Sequence, residues 1–434
     1  MEEHEFTIGM DAVNFPKMIR IRQRLETLMV RDIRREIADQ VNKLAVYKKV
    51  KTSESVAVAC SSRGIANYSA IAKETVRSLK GLGLKPFLVP AMGSHGAATS
   101  EGQKRVLENY GITESAVGAP ILSSLEVTPL GETEDGVPVF IDRIALKADH
   151  IVLINRIKSH TEFAHEFESG LLKMMAVGLG KVKGATLYHK AFMTYGYPRV
   201  ILTVARKIME SGKILFGVAV VENGYSQTAE IRVLVPEEIE EKEKALLKKA
   251  KRLSPRLPFD EVDVLIVDEM GKDISGSGFD TKVVGRIMMP LVAQEPDRPR
   301  VKRIVVCDLT AKTEGNADGV GIADFVTKRL VDKIDLEALY VNAMAGAEPE
   351  HARIPMTLEN DREAIGAAIK TIGLVPPEQA RIIRIRNTLE LGEVEVSQAY
   401  ESELSGRKDL EAITDARPMV FDKDGHLEAL RFHI

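Results

Sequence analysis

Residues Asn155 to Phe192 read NRIKSHTEFAHEFESGLLKMMAVGLGKVKGATLYHKAF and hold His160, His165 and His189, three of the chain's nine histidines. Around them stand Lys158, Lys173, Lys181, Lys183 and Lys190. Imidazoles titrate near neutrality, so they can move protons or, when neutral, ligate a metal. Titratable nitrogens crowded beside glycines make a poor core and a good site.

Each residue has a chemical reading and a plainer one. His95, in MGSHGAA, is either an acid/base imidazole or a loop histidine bonded to a carbonyl. His160, just after an apolar run, carries the same two readings. His165 reads better as a partly exposed polar residue. His189, in LYHKAF, is a metal ligand or a satisfied histidine at a core edge. Lys173, in SGLLKMMAVG, has apolar neighbours on both sides. A lysine there either snorkels or is buried and nucleophilic. Arg63, beside Gly64, can grip a carboxylate through two hydrogen bonds or remain a solvated arginine. The run Lys244–Arg252 reads as a solvated helical face.

The elements that must position these residues alternate between strand and helix. Apolar residues from Lys17 to Leu44 recur with helical spacing. Ser55–Cys60, Lys85–Val89 and His150–Asn155 are strand candidates, and Arg63, His95 and His160 each follow one of them. Helices are expected over Tyr68–Leu82, from an N-cap at Ser100 to Tyr110, over Glu168–Val177, from Tyr197 to Met209, and over Pro236–Leu253. Residues Ser124–Ile144 read as β-rich. Beyond the breaker Ser254–Pro258, further strand runs cover Val262–Met270 and Arg303–Leu309, with a Gly/Ser loop Ser275–Gly278 between them. This alternation predicts two α/β domains with largely parallel sheets, residues 1–255 and 256–434, and an active site in the interdomain cleft.

Composition narrows the class. A chain of 434 residues exceeds one ordinary core, and 60 basic against 63 acidic residues give a net charge of only −3. No field of that size draws nucleic acid or anionic membrane. Two cysteines, both in apolar runs, fit a reducing compartment rather than a disulfide scaffold. Neither a signal peptide nor a membrane-length apolar run is visible, so a cytoplasmic protein is expected. The phosphate-binding GxxxxGK[ST] signature, HExxH and GxSxG are absent, and GLGKVKG at Gly178–Gly184 is one residue too long for GxGxxG.

Taken in order, Arg63, His95 in a G-[ST]-H turn, His160, Lys173 in an SG-x-x-K run and His189 resemble the motifs of the nickel-dependent lactate racemase family. That resemblance covers about residues 50–195. It implies a nickel-pincer nucleotide, pyridinium-3,5-bisthiocarboxylic acid mononucleotide nickel, held covalently by Lys173 with His189 as the nickel ligand. It implies His95 and His160 as acid/base groups on opposite sides of the reacting carbon, Arg63 on the substrate carboxylate, and Lys282 as a substrate-orienting lysine. The implied activity is racemisation or epimerisation of a 2-hydroxy acid by hydride transfer, with the cofactor-making enzymes as partners. A homo-oligomer is compatible with it. The chain departs from the family at Cys60-Ser61-Ser62-Arg63-Gly64, where an aspartate and Thr-Arg-Pro are usual, at Gly96, where arginine is common, and in a longer segment between His160 and Ser169. These departures point to a 2-hydroxy acid larger than lactate or differently functionalised. Two other readings remain: a cofactor- or metabolite-binding protein on the same fold, and a metal- or nicotinamide-dependent oxidoreductase.

Overall fold

The computed structural model describes residues 13–161, 163–289 and 294–430. They divide into two compact units. A central unit comprises Glu26–His160 and Ala164–Ser254. A flanking unit takes in the described residues up to Leu25, together with Thr161, Phe163 and the chain from Pro255 on.

The stretch Lys17–Leu44, expected as one helix, is a strand followed by a shorter helix. Strand β1 (Met18–Gln23) lies in the flanking unit. In its sequence MIRIRQ, Ile19 and Ile21 are buried. Arg20 and Arg22 stand opposite Glu395 and Glu393 on a neighbouring strand, at 3.5 and 2.8 Å. The operative period is therefore two. The helix begins only at Ile33, where the Asp32 side chain caps it by accepting from the Arg35 N–H at 2.9 Å.

Next come β2 (Ser55–Cys60), β3 (Lys85–Pro90), a hairpin of β4 (Val127–Glu132) and β5 (Pro138–Asp142), β6 (His150–Arg156), β7 (Ile214–Glu222) and β8 (Thr228–Leu234). The central sheet has the order β3-β2-β6-β7-β8, parallel as far as β7, with β8 antiparallel. The second strand lies outside the first and the third on its other side. This is the doubly wound arrangement, with its switch point between β2 and β6. Ala57, Ala59, Ile151 and Leu153 enter one core, and Val56, Val58, Val152 and Ile154 the opposite one. Both faces are covered, so these strands are apolar throughout and do not alternate. In the helix after β3 the cap is Thr99, one residue before the expected Ser100, with its hydroxyl accepting from Gly102 at 3.0 Å.

The flanking sheet is completed by β9 (Glu261–Val267), β10 (Arg300–Val306), β11 (Phe325–Thr327), β12 (Met356–Leu358), β13 (Ile382–Ile385), β14 (Glu393–Ser397) and β15 (Leu410–Ala412). Its order is β12-β11-β10-β9-β13-β14-β1-β15, parallel from β12 to β13 and antiparallel beyond. The chain is thus an α/β protein with largely parallel sheets. Both cysteines are free and buried. No helix among the described residues is long and apolar enough to cross a membrane.

Candidate active site

In open parallel sheets, ligands collect beyond the carboxyl ends of the strands, beside the switch point. Three candidate residues stand there in the central unit. Arg63 follows β2, His95 follows β3 and His160 follows β6.

The loop bearing Arg63 is anchored by two tyrosines. The Ser61 N–H donates to the Tyr68 hydroxyl oxygen at 2.5 Å, and the Tyr110 hydroxyl donates to the Ser62 carbonyl at 3.1 Å. Gly64 packs so closely that an added Cβ would stand 3.2 Å from the Tyr110 ring. Cys60, at the end of β2, is no nucleophile, because burial pushes its thiol up to about 12.

The turn bearing His95 is held from beneath. The His95 ring Nδ1 lies 2.8 Å from the Met92 carbonyl, and since a carbonyl only accepts, Nδ1 carries the proton. Gln103, fully buried, donates to the carbonyls of Gly93 and His95 at 2.9 and 3.3 Å. Gly96 (φ +68°) is required at this corner, since a Cβ would lie 2.5 Å from the Gln103 nitrogen. Gly93 packs against Val177 and Ala185, so the turn rests on the segment that follows Lys173.

His160, 8% exposed, lies in a loop closed by paired backbone hydrogen bonds between Lys158 and Ser169 at 3.0 and 3.1 Å. Inside the loop, the buried Glu168 carboxylate accepts from the His160 N–H at 2.5 Å and the His165 N–H at 3.0 Å. Lys251 neutralises it at 2.5 Å. His165 itself is exposed. Because Glu168 folds back in this way and Gly170 is extended, the helix expected over Glu168–Val177 starts only at Leu171. It continues as a π-helical stretch, Met174–Gly178, a geometry common at functional sites. The Glu243 carboxylate accepts from the Leu171 and Leu172 N–H groups at 2.7 and 3.2 Å, completing the helix start.

Lys173 Nζ lies 2.6 Å from His160 Nε2. The Tyr197 ring backs both residues, 5.2 Å from the His160 ring and 5.6 Å from the Lys173 nitrogen. Phe192 meets Tyr197 at a tilt, ring centres 4.5 Å apart, and meets the His189 ring edge-on at 5.4 Å. Burial, and second the charge of Lys173, pull His189 down to about 4, so its imidazole is neutral and in the form that ligates metals. His160, Lys173 and His189 therefore form one cluster around an aromatic wedge. His95 and Arg63 stand at adjacent strand ends. Lys282 lies in the flanking unit, on the single-turn helix Thr281–Val284 capped by Asp280.

Sequence reasoning missed Glu168, Glu243, Lys251, Phe192 and Tyr197. The helix Pro236–Leu253 is more than a solvated face, since its Glu243 and Lys251 support the segment that bears His160 and Lys173. The signal was present. Ile239, Glu243, Leu246 and Ala250 share the buried side of that helix, a spacing readable as one helical stripe.

Residues 3–198 match the family model described as the lactate racemase N-terminal domain. No curated protein matches the sequence. Among solved structures, the lactate racemase apoprotein from Thermoanaerobacterium thermosaccharolyticum is similar at a TM-score of 0.49 and 12% identity, covering 85% of this chain and 98% of that one.

Proposed function

We propose that the chain, whose residues 3–198 match the lactate racemase N-terminal domain, is a member of that family and an isomerase inverting C2 of a 2-hydroxy acid with a lysine-tethered nickel-pincer nucleotide. The observation that carries this reading is the cluster of Lys173, His160 and His189 around the Phe192–Tyr197 wedge, beyond the strand ends of one doubly wound sheet. The donor set fits the group. Lys173 would hold it through Nζ, and His189 offers an imidazole suited to nickel. When bound, the nucleotide supplies hydride acceptance and return, which spares the enzyme from removing an unactivated C–H proton.

The protein's own residues supply the rest. His95 and His160 each hold or release the hydroxyl proton, one for each face of the reacting carbon. Arg63 grips the carboxylate and fixes C2 between them. Lys282 is the proposed orienting lysine. The altered Arg63 loop and Gly96 favour a 2-hydroxy acid other than lactate. Two buried free thiols support a reducing, cytoplasmic setting. The cofactor-making enzymes are the expected partners.

The test is intact mass spectrometry with nickel analysis after co-expression with those enzymes. The expected result is a covalent adduct, about one nickel per chain, and loss of the adduct in Lys173→Ala. Racemisation is then read by chiral chromatography over a panel of 2-hydroxy acids. A folded protein with neither adduct nor nickel overturns the proposal. An adduct without turnover on the panel reduces it to cofactor binding.

A further inference from the structure

The flanking unit contains a second group of chemically apt side chains, none of them among the residues assigned above. Among the described residues, the ligand atoms of Asp318, Glu348 and His351 all lie within 4.8 Å of one another. All three residues are deeply buried, at 1%, 5% and 0% exposure. They come from two segments. Asp318 sits in the loop between β10 and β11, and Glu348 and His351 in the turn after the helix Leu336–Gly346. The Gly319 N–H donates to the His351 carbonyl at 3.2 Å and ties these segments together.

Apart from the ion pair between Glu348 and His351, their bonding capacity is unfilled. Asp318 Oδ1, Glu348 Oε2 and His351 Nδ1 have no hydrogen-bond partner among the described residues. Buried polar atoms left this way are costly and rare. His351 Nε2 lies 2.7 Å from the Ile287 carbonyl, which only accepts, so that nitrogen carries the proton. Metal-bound histidines are oriented by the same kind of bond to a backbone carbonyl. His351 Nδ1 stands 3.0 Å from Glu348 Oε2 as an ion pair, so a metal ion entering here would replace the proton between them. Adjacent ligands on one small tetrahedral divalent ion, bonded at about 2.0–2.2 Å, are separated by about 3.3–3.6 Å, so these two atoms stand slightly closer than a bound ion would hold them. Lys272 occupies the other Asp318 oxygen, Oδ2, at 2.6 Å and leaves Oδ1 available.

We propose that Asp318, Glu348 and His351 bind a divalent first-row transition ion of the zinc type, as a structural site within the flanking unit. One imidazole with two carboxylates suits such an ion better than calcium or magnesium, which take oxygen ligands. Ser277, whose carbonyl would stand 2.0 Å from a Cβ on Gly319, carries another buried hydroxyl with no partner among the described residues.

The experiment uses the full chain, produced without the cofactor-making enzymes, stripped with a chelator and titrated with zinc chloride by calorimetry. The expected result is about one zinc per chain, bound at least tenfold more weakly by Asp318→Asn and Glu348→Gln and unchanged in His189→Ala. Failure of the folded wild-type chain to bind zinc overturns the site. Binding that survives both carboxylate changes but disappears in His189→Ala also overturns it, and would place the zinc in the active-site cluster. Should the variants not fold, anomalous scattering from zinc-soaked wild-type crystals decides: a peak between the three side chains supports the site, and none there overturns it.

Discussion

Lys181 is fully buried, and its ammonium stands 2.9 Å from the equally buried carboxylate of Asp142. Burial pulls the lysine below its ordinary pKa, against the raising effect of Asp142. Lys181 also donates to the Pro90 carbonyl at the end of β3, and it lies 3.4 Å from the Gln103 oxygen. Gln103 in turn holds the His95 turn. Replacing Lys181 with Met strands a buried carboxylate, and the expected cost is about 3–5 kcal/mol in urea unfolding. Lys181→Met combined with Asp142→Asn should cost less than the sum of the single changes. Additive costs, or a loss under about 1 kcal/mol for Lys181→Met, would show that the pair is not what anchors the turn. In the sequence Lys181 is one of several lysines between glycines, and nothing local marks it out. Its partner comes from a hairpin strand, and its own backbone takes a positive φ of 53°, neither of which spacing reveals. His95, His160 and Lys173 were legible because strand ends and apolar neighbours are local properties.

The helix Pro236–Leu253 carries the next prediction. Burial pushes its Glu243 up to about 7, despite the two N–H groups it accepts from. A raised carboxyl pKa contributes stability that is fully present below the unfolded value of about 4.3 and lost as pH climbs to about 7. The loss is on the order of 3 kcal/mol. Glu243→Gln keeps an acceptor for Leu171 and Leu172 and has no proton to lose. The unfolding free energy of the wild type minus that of this variant should therefore fall by that amount between pH 4.5 and 7. A flat difference would mean that Glu243 titrates normally. Gly170 has an extended backbone open to any residue, but a Cβ there would stand 2.3 Å from Glu243 Oε1. Its glycine is thus required by the carboxylate beneath it. The apolar stripe of this helix was readable, but the dense charges around Glu243 made it look solvated. The π-helical stretch after Lys173 left no comparable sign, since its apolar run suits any buried helix.

For the molecule as a whole, the alternation of strand and helix announced both parallel sheets, because buried strands are apolar on both faces and stand out. What it could not announce is that β1 completes a sheet whose other strands all come after Pro255. Its helical reading failed for the same reason, as the partners that make its alternation meaningful are remote. Residues 255–430 produced alone should lack cooperative thermal unfolding, because β14 and β15 lose the strand between them. Joining residues 13–25 through a flexible linker should restore it. Cooperative unfolding of the fragment without β1 would show that the strand is dispensable.

The same strand sets a timetable for biosynthesis. Arg22 and its partner Glu393 are 371 residues apart. At roughly 5–20 residues per second, a ribosome delivers that partner tens of seconds after β1 has emerged. Until then MIRIRQ is an open β-edge on a nascent polypeptide, while the central unit's strands can already pair. Its arginines, spaced at every second position, keep that waiting segment charged and discourage pairing with other chains.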